Sequence, residues 1–504
     1  MNMKRLLTLL LASTCLHAAA QQQNMVWIAP TDSLPQILHK AVQVTPTPRQ
    51  LRWQQLELTA FFHFGINTFT NREWGDGKEN PQLFNPTQLD ARQWVNTVKA
   101  AGIKQVIITA KHHDGFCLWP SKYTKHSVAS SPWKNGKGDV VKEVADACRE
   151  AGIGFGVYLS PWDRHEPSYG TEAYNTFFVQ QLTELLTQYG QVDEVWFDGA
   201  NGEGPNGKKQ VYDFDRWYKV IRKLQPQATI AIMGPDVRWV GTETGHGRTT
   251  EWSVVPANHL DPAAVAANSQ QDLAFKPAGD MMGDDLGSRE KISKAKALVW
   301  YPAETDVSIR PGWFYHASED SLVKSAEQLL DIYFHSVGRN GVLLLNIPPD
   351  KRGLIHEQDV KALQQWRQRR NDIFHRNLLS SAQSTLLYPN LLLDKNDSTA
   401  YTFDQQQTMQ IEWKWRGLQD MNVLLLQEDI RKGQRVEKFV LEYLDEDGWK
   451  TAATGTTIGY KRLLRFPAVS TSAMRLRITG TRANPVLAEM GIYYDDKQPE
   501  HIND

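Results

Sequence analysis

One pattern limits the fold of this chain more than any other. From about residue 55 to 350, short apolar runs alternate with amphipathic helical stretches. The runs are LELTAFFHFGI (56–66), KQVIITAKHH (104–113), IGFGVYLSP (153–161), VDEVWFDGAN (192–201), ATIAIMGP (228–235), TEWSVV (250–255), ALVWYPAETDVSI (297–309) and GVLLLNIPP (341–349). Between them, LDARQWVNTVKAAG (89–102), DVVKEVADACREAG (139–152), FFVQQLTELLTQYG (177–190), FDRWYKVIRKLQP (214–226) and SLVKSAEQLLDIYFHSVG (321–338) carry apolar residues at helical spacing. Strands separated by helices pair in parallel through crossovers. Eight of them, with no G-x-G-x-x-G loop after the first, predict an α/β chain with a (β/α)8-like TIM barrel rather than an open dinucleotide-binding sheet. No amphipathic helix follows the sixth run, so a helix is expected to be missing there.

The period then changes. After DVKALQQWRQRRNDIF (359–374), the stretches MQIEWKW, MNVLLLQE, EKFVLEYLDEDGWKTAATG, KRLLRF and AMRLRITG alternate at period two between turn residues, which predicts a β-sandwich. The expected organisation is a barrel over 21–355, a helical linker over 356–384 and a C-terminal sandwich over 385–504. That sandwich is either a carbohydrate-binding module or a cap on the barrel. A chain of 504 residues is long enough for more than one core. Residues 1–20 have a basic start (Lys4, Arg5), an apolar run from Leu6 to Ala12 and small residues at Ala18 and Ala20. This is the form of a secretory signal peptide, too short to span a bilayer. Export to the periplasm or the outside is expected. A lipid anchor at Cys15 is the alternative, weakened by Thr14 where a small residue would stand. Cys117 and Cys148 then remain, both in core-like contexts, so no disulfide framework is expected. Lys and Arg number 56 against 57 Asp and Glu, which gives no charge-based reason to propose nucleic acid or an anionic membrane as partner.

A barrel keeps its chemistry at the C-terminal ends of its strands. The first run ends in His63, the second in His112, His113 and Asp114, and the third in Tyr158, Trp162, Asp163 and His165. The fourth ends in Asp198, ahead of Gly199. Arg238, Trp239 and Glu243 follow the fifth, and Trp313 and His316 follow the seventh. Asp198 alone could be a turn or helix-capping residue. Metal hydrolysis lacks its signatures, since there is no H-x-H pair on the first strand and no H-E-x-x-H. A serine nucleophile lacks its G-x-S-x-G elbow. A carboxylate ringed by His, Trp, Tyr and Arg suits recognition of sugar hydroxyls, and the 17 tryptophans fit stacking on sugar rings as well as they fit a large core.

Five motifs in order, HFGINTFTNREWGDG, KHHDGFCLWPSKYT, GVYLSPWDRHEPSYG, EVWFDGANGEG and GPDVRWVGTETG, resemble the α-L-fucosidases of glycoside hydrolase family 29, over about residues 50–350. The resemblance implies retaining hydrolysis of terminal α-L-fucose, without metal or other cofactor, on fucosylated glycans. It makes Asp198 the nucleophile. A retaining mechanism needs a second carboxyl group about 5–5.5 Å away to protonate the leaving oxygen. Glu243, in the Gly-flanked loop GTETG, is the favoured candidate and Glu251 the fallback. The Asp198–Glu243 spacing resembles the subfamily that cleaves α-1,3/1,4-linked fucose of Lewis-type glycans. Motif by motif, His63, Glu73, Trp74, His112, His113 and Tyr158 match residues that grip fucose. Trp313 is expected as a stacking wall, and Asp163, His165 and Arg238 as the rim. A catalytically dead fucose-binding barrel and a galactose-directed glycosidase are the competing expectations.

Overall fold

The computed structural model describes residues 23–257, 283–404 and 409–498. The expected signal segment, Cys15 and most of the stretch after the sixth run (258–282) lie outside them.

Eight parallel strands form one sheet: β1 (Leu58–Phe62), β2 (Gln105–Lys111), β3 (Gly154–Leu159), β4 (Glu194–Phe197), β5 (Thr229–Ile232), β6 (Arg238–Trp239), β7 (Ala303–Ser308) and β8 (Val342–Asn346). Their hydrogen-bonded order is β5-β4-β3-β2-β1-β8-β7-β6. Nothing in the ladders joins β5 to β6 among the described residues, so the barrel is nearly closed rather than closed. Both faces of these strands are buried, as parallel strands require. Outward residues such as Ile108, Val157, Val195 and Ile230 pack against Trp94 and Trp217 of the surrounding helices. Inward residues, including Phe61, Ile107, Tyr158, Trp196, Ala231 and Leu344, fill the barrel.

The helices start where the sequence offers caps. Asp90, Asp139 and Asp213 accept from the backbone N–H three residues on, opening α1 (Ala91–Ala100), α2 (Val140–Ala151) and α4 (Phe214–Leu224). Between the last two lies α3 (Glu172–Gln188). A reciprocal Ser325–Gln328 capping box delays α5 to Ala326–His335, five residues into its predicted stretch.

Two predicted strands need correction. TEWSVV is not a barrel strand; the sixth position is taken by the two-residue β6. Val254–Ala257 instead pairs antiparallel with Ala297–Trp300, whose other edge takes Met25–Trp27. The predicted run 297–309 is therefore two strands, divided at Pro302. Proline has no N–H to continue a ladder, and here its carbonyl accepts from Arg238 N at 3.0 Å to open the β6–β7 pairing.

After α6 (Glu357–Phe374), the C-terminal strands join one seven-stranded antiparallel sheet. Its long strands, Gln410–Glu428 and Arg462–Thr481, slip register midway and enclose a separate core around Trp413, Phe439, Leu441 and Met474. It grips the barrel through the Lys461–Glu57 ion pair and through Asn340, whose Oδ1 accepts from Tyr460 N at 2.7 Å. No helix among the described residues is long and apolar enough to cross a membrane.

Candidate active site

The tip of β4 carries Asp198. Its Oδ1 accepts from Ala200 N at 2.7 Å, an Asx-type turn that sets the side chain, and its Oδ2 accepts from Tyr158 Oη at 3.1 Å. Burial, reinforced by the Asp198 charge, pushes the Tyr158 hydroxyl well up, so it stays a donor.

His113 Nε2 lies 3.8 Å from Asp198 Oδ2, within ion-pair range by distance alone. Burial holds its imidazole below the usual range despite Asp198, which argues for a neutral ring. The hydrogen bonds agree. Ser160 Oγ donates to the Trp162 carbonyl at 2.6 Å and so accepts from His113 Nδ1 at 2.8 Å, leaving Nε2 with a lone pair. His63 is arranged the same way. Asn346 gives its Nδ2 to Ser308 Oγ and the Trp313 carbonyl, so its Oδ1 accepts from both the N and the Nδ1 of His63, at 3.2 and 2.9 Å. Burial depresses the His63 imidazole to about 3. His112, also driven well below its usual range by burial, bridges the two, its ring centroid 4.2 Å from His113 and 5.6 Å from His63. Uncharged imidazoles with free lone pairs suit hydroxyl donors, which a polyol supplies in number.

Glu243 sits on the loop after β6. Gly245 pins that loop: its N–H donates to Asp306 O at 3.0 Å, its φ is +75°, and a Cβ there would lie 2.9 Å from Val307 and Ile332. The Glu243 carboxyl accepts from Trp313 Nε1 at 3.3 Å. Although the side chain is exposed, partial desolvation at the mouth raises its pKa, the Trp313 bond lowers it, and the charges of Asp198 and Glu73 raise it further. A carboxyl held toward its protonated form can give up a proton.

Glu73 organises the opposite side. It accepts from Trp313 N at 2.7 Å, Phe314 N at 3.2 Å and His316 Nε2 at 2.6 Å. Gly312 permits this approach, since a Cβ there would meet Glu73 Oε1 at 2.6 Å. Trp313 is thereby set 5.1 Å, ring to ring, from His63. Trp74, 58 % exposed at the mouth, meets His113 and Trp162 edge-on.

Four expected residues are engaged elsewhere. Asp163 is fully buried, bound by Lys111 Nζ at 2.7 Å and by the backbone N–H groups of His165 and Glu166, so it braces the β3 loop rather than lining a rim. His165 bonds the Gly77 carbonyl and stacks on His126. Arg238 is fully buried and pairs with Glu251, which Arg248 also holds at 3.2 Å. Arg238 is thus not a rim residue, and Glu251 is locked between two guanidiniums. Asn346, Ser160 and the floor carboxyls Glu304 and Asp306 were not singled out. Trp196 Nε1 donates to Glu304 at 2.7 Å and Trp239 Nε1 to Asp306 at 2.6 Å; burial pushes both acids well up. The signal for Asn346 was present, as the polar end of VLLLN.

Neutral imidazoles beside two carboxyl groups, Asp198 and Glu243, gathered at the strand tips of a parallel barrel, are the arrangement of a glycoside hydrolase. The family model for alpha-L-fucosidase matches residues 50–368, and the chain belongs to that family. It is 45 % identical over 469 residues to alpha-L-fucosidase 1 of Arabidopsis thaliana, covering 89 % of this chain and 87 % of that one. A Bacteroides ovatus structure, provisionally described as an alpha-L-fucosidase, superposes with a TM-score of 0.84 at 52 % identity, over 95 % of this chain and 79 % of that one. A Ruminococcus gnavus family 29 fucosidase in complex with fucose superposes with a TM-score of 0.78 at 31 % identity, over 90 % and 95 %. The chain is an alpha-L-fucosidase, a glycoside hydrolase, and the non-catalytic expectation gives way.

Proposed function

We propose that this fucosidase works with retention. Asp198 attacks the anomeric carbon of a terminal α-L-fucosyl unit, and Glu243 protonates the leaving oxygen. A fucosyl ester on Asp198 forms as the glycosidic bond breaks. Glu243, now ionised, takes a proton from water, which cleaves the ester and restores both groups. The observation that carries this reading is the contrast between the two acids. Asp198 is fixed at a rigid strand end by Tyr158 and Ala200, whereas Glu243 rides a loop whose surroundings raise its pKa. In this reading His63, His112 and His113 receive the sugar hydroxyls, Tyr158 steadies the nucleophile, and Trp313 and Trp74 flank the ring. The pairing of Glu251 with two arginines further supports Glu243 as the acid/base.

The expected substrates are α-1,3/1,4-fucosylated, Lewis-type glycans, and the expected location is outside the cytoplasm after loss of residues 1–20. A panel of Lewis a, Lewis x and 2'-fucosyllactose tests the linkage, and efficient cleavage of 2'-fucosyllactose alone would refute it. N-terminal sequencing of protein from cell fractions tests export. The central test is Asp198→Asn, which should fold and bind fucose yet lose roughly 10³-fold or more in kcat. Near-normal turnover would remove Asp198 from its role.

A further inference from the structure

We infer that His246, Asp331 and His335 form a binding site for a divalent transition metal of the zinc class, joining the loop that carries Glu243 to helix α5. One ligand-capable atom from each side chain lies within 4.8 Å of the other two. Asp331 Oδ2 is 3.7 Å from His246 Nε2 and 3.1 Å from His335 Nδ1, and the two rings stand 4.8 Å apart. A tetrahedral ion with bonds of about 2.0–2.2 Å sets its ligand atoms roughly 3.3–3.6 Å apart, so two of the three separations are already close.

The scaffold favours this geometry. Asp331 and His335 are one turn apart on α5 and share a face. Arg465 Nη1 holds Asp331 Oδ1 at 3.2 Å, which orients the carboxylate and leaves Oδ2 for an ion. The third ligand arrives on a loop already tied to the helix, because Gly247 N donates to the His335 carbonyl at 2.7 Å. The His246 and Asp331 side chains are 44 % and 40 % exposed, giving the ion a path in and water its remaining coordination positions. Two features oppose binding. His335 Nδ1 lies 2.9 Å from the Asp331 carbonyl, a bond the ion must replace, and Arg465 and Arg339 bring positive charge nearby. The site takes no part in the hydrolysis; it clamps a loop to a helix, and it stands whether or not the roles given to Asp198 and Glu243 hold.

The experiment uses the full chain, stripped with chelator and then dialysed against Zn²⁺, with bound metal measured by elemental analysis. One ion per chain is expected, with a raised melting temperature, since a ligand of the folded state stabilises it. His246→Ala changes an exposed side chain and should fold, yet bind at least tenfold more weakly and lose the thermal shift. Asp331→Asn should behave likewise. Co²⁺ in place of Zn²⁺ should give a visible absorption band of low coordination number in the parent and none in His246→Ala. No bound Zn²⁺, or equal binding by His246→Ala, would overturn the assignment.

Discussion

Glu73 is the residue whose removal should teach most, because of what it holds in place. Its carboxylate gathers two backbone N–H groups and the His316 ring, and so fixes the segment that presents Trp313. Glu73→Ala deletes all three bonds and leaves no buried charge behind. A hydrogen bond to a charged acceptor is worth about 1.5–3 kcal/mol when shielded. This side chain is 38 % exposed, so water replaces part of each bond and about 1 kcal/mol apiece is the fitting figure. The sum, about 3 kcal/mol, corresponds to a roughly 10²-fold shift toward a displaced wall. That shift caps the loss in kcat/KM for an aryl α-fucoside, and a drop of about 30- to 100-fold is expected. The melting temperature should fall by only a few degrees, since the loss is spread over a large protein whose barrel and C-terminal cores are untouched. Glu73→Gln, which keeps one acceptor, should fall between. A change in kcat/KM below about threefold, or an unfolded variant, would refute the view of Glu73 as a positioning residue for Trp313.

Glu243→Ala should spare the first step on an aryl fucoside with an acidic phenol and slow a trisaccharide by about 10²–10⁴-fold. Azide should restore its turnover and yield the product with retained configuration; rescue of Glu251→Ala instead would exchange the two roles. Glu251→Ala should act on stability, because it leaves Arg238 and Arg248 without their shared carboxylate. A loss of about 3–5 kcal/mol, seen as an earlier thermal or urea transition with kcat kept in the folded fraction, is expected. Trp313→Phe keeps a ring but removes the N–H donated to Glu243. That bond favours the ionised carboxyl, so its loss raises the Glu243 pKa and moves the alkaline limb of kcat/KM to higher pH. A downward move would contradict the geometry.

The strand tips were readable in the sequence because a parallel barrel buries both faces of each strand. Each run is then continuously apolar until it meets the chemistry, as VWFD and AKHH show. The same logic misled between 250 and 309. Val254, Val255, Leu298 and Val299 are apolar because a side sheet buries them, and nothing local distinguishes that sheet from the barrel wall. The true sixth strand is two residues, Arg238 and Trp239, too short to carry a period. Asp163, His165 and Arg238 were drawn to the rim by the motif match alone. A lysine at 111 and a glutamate at 251 claim two of them, and such distant pairings leave no trace in local spacing. Asp198 and Glu243, by contrast, are each positioned mainly by their own loops, through Ala200 and Gly245.

The side sheet also bears on where the proposed N-terminal cleavage could fall. Met25–Trp27 forms the edge of a ribbon whose central strand, Ala297–Trp300, runs through Pro302 directly into β7, and Trp300 N donates to Asn24 O at 2.7 Å. Residues 25–27, a few positions beyond the expected cleavage point, are therefore part of the folded side sheet. A peptidase cutting only a few residues too far downstream would expose the 297–300 edge and loosen the strand that supports Asp306 and the Glu243 loop. If the proposed export is correct, cleavage beyond residue 27 should be penalised, because it removes the strand that pairs with 297–299.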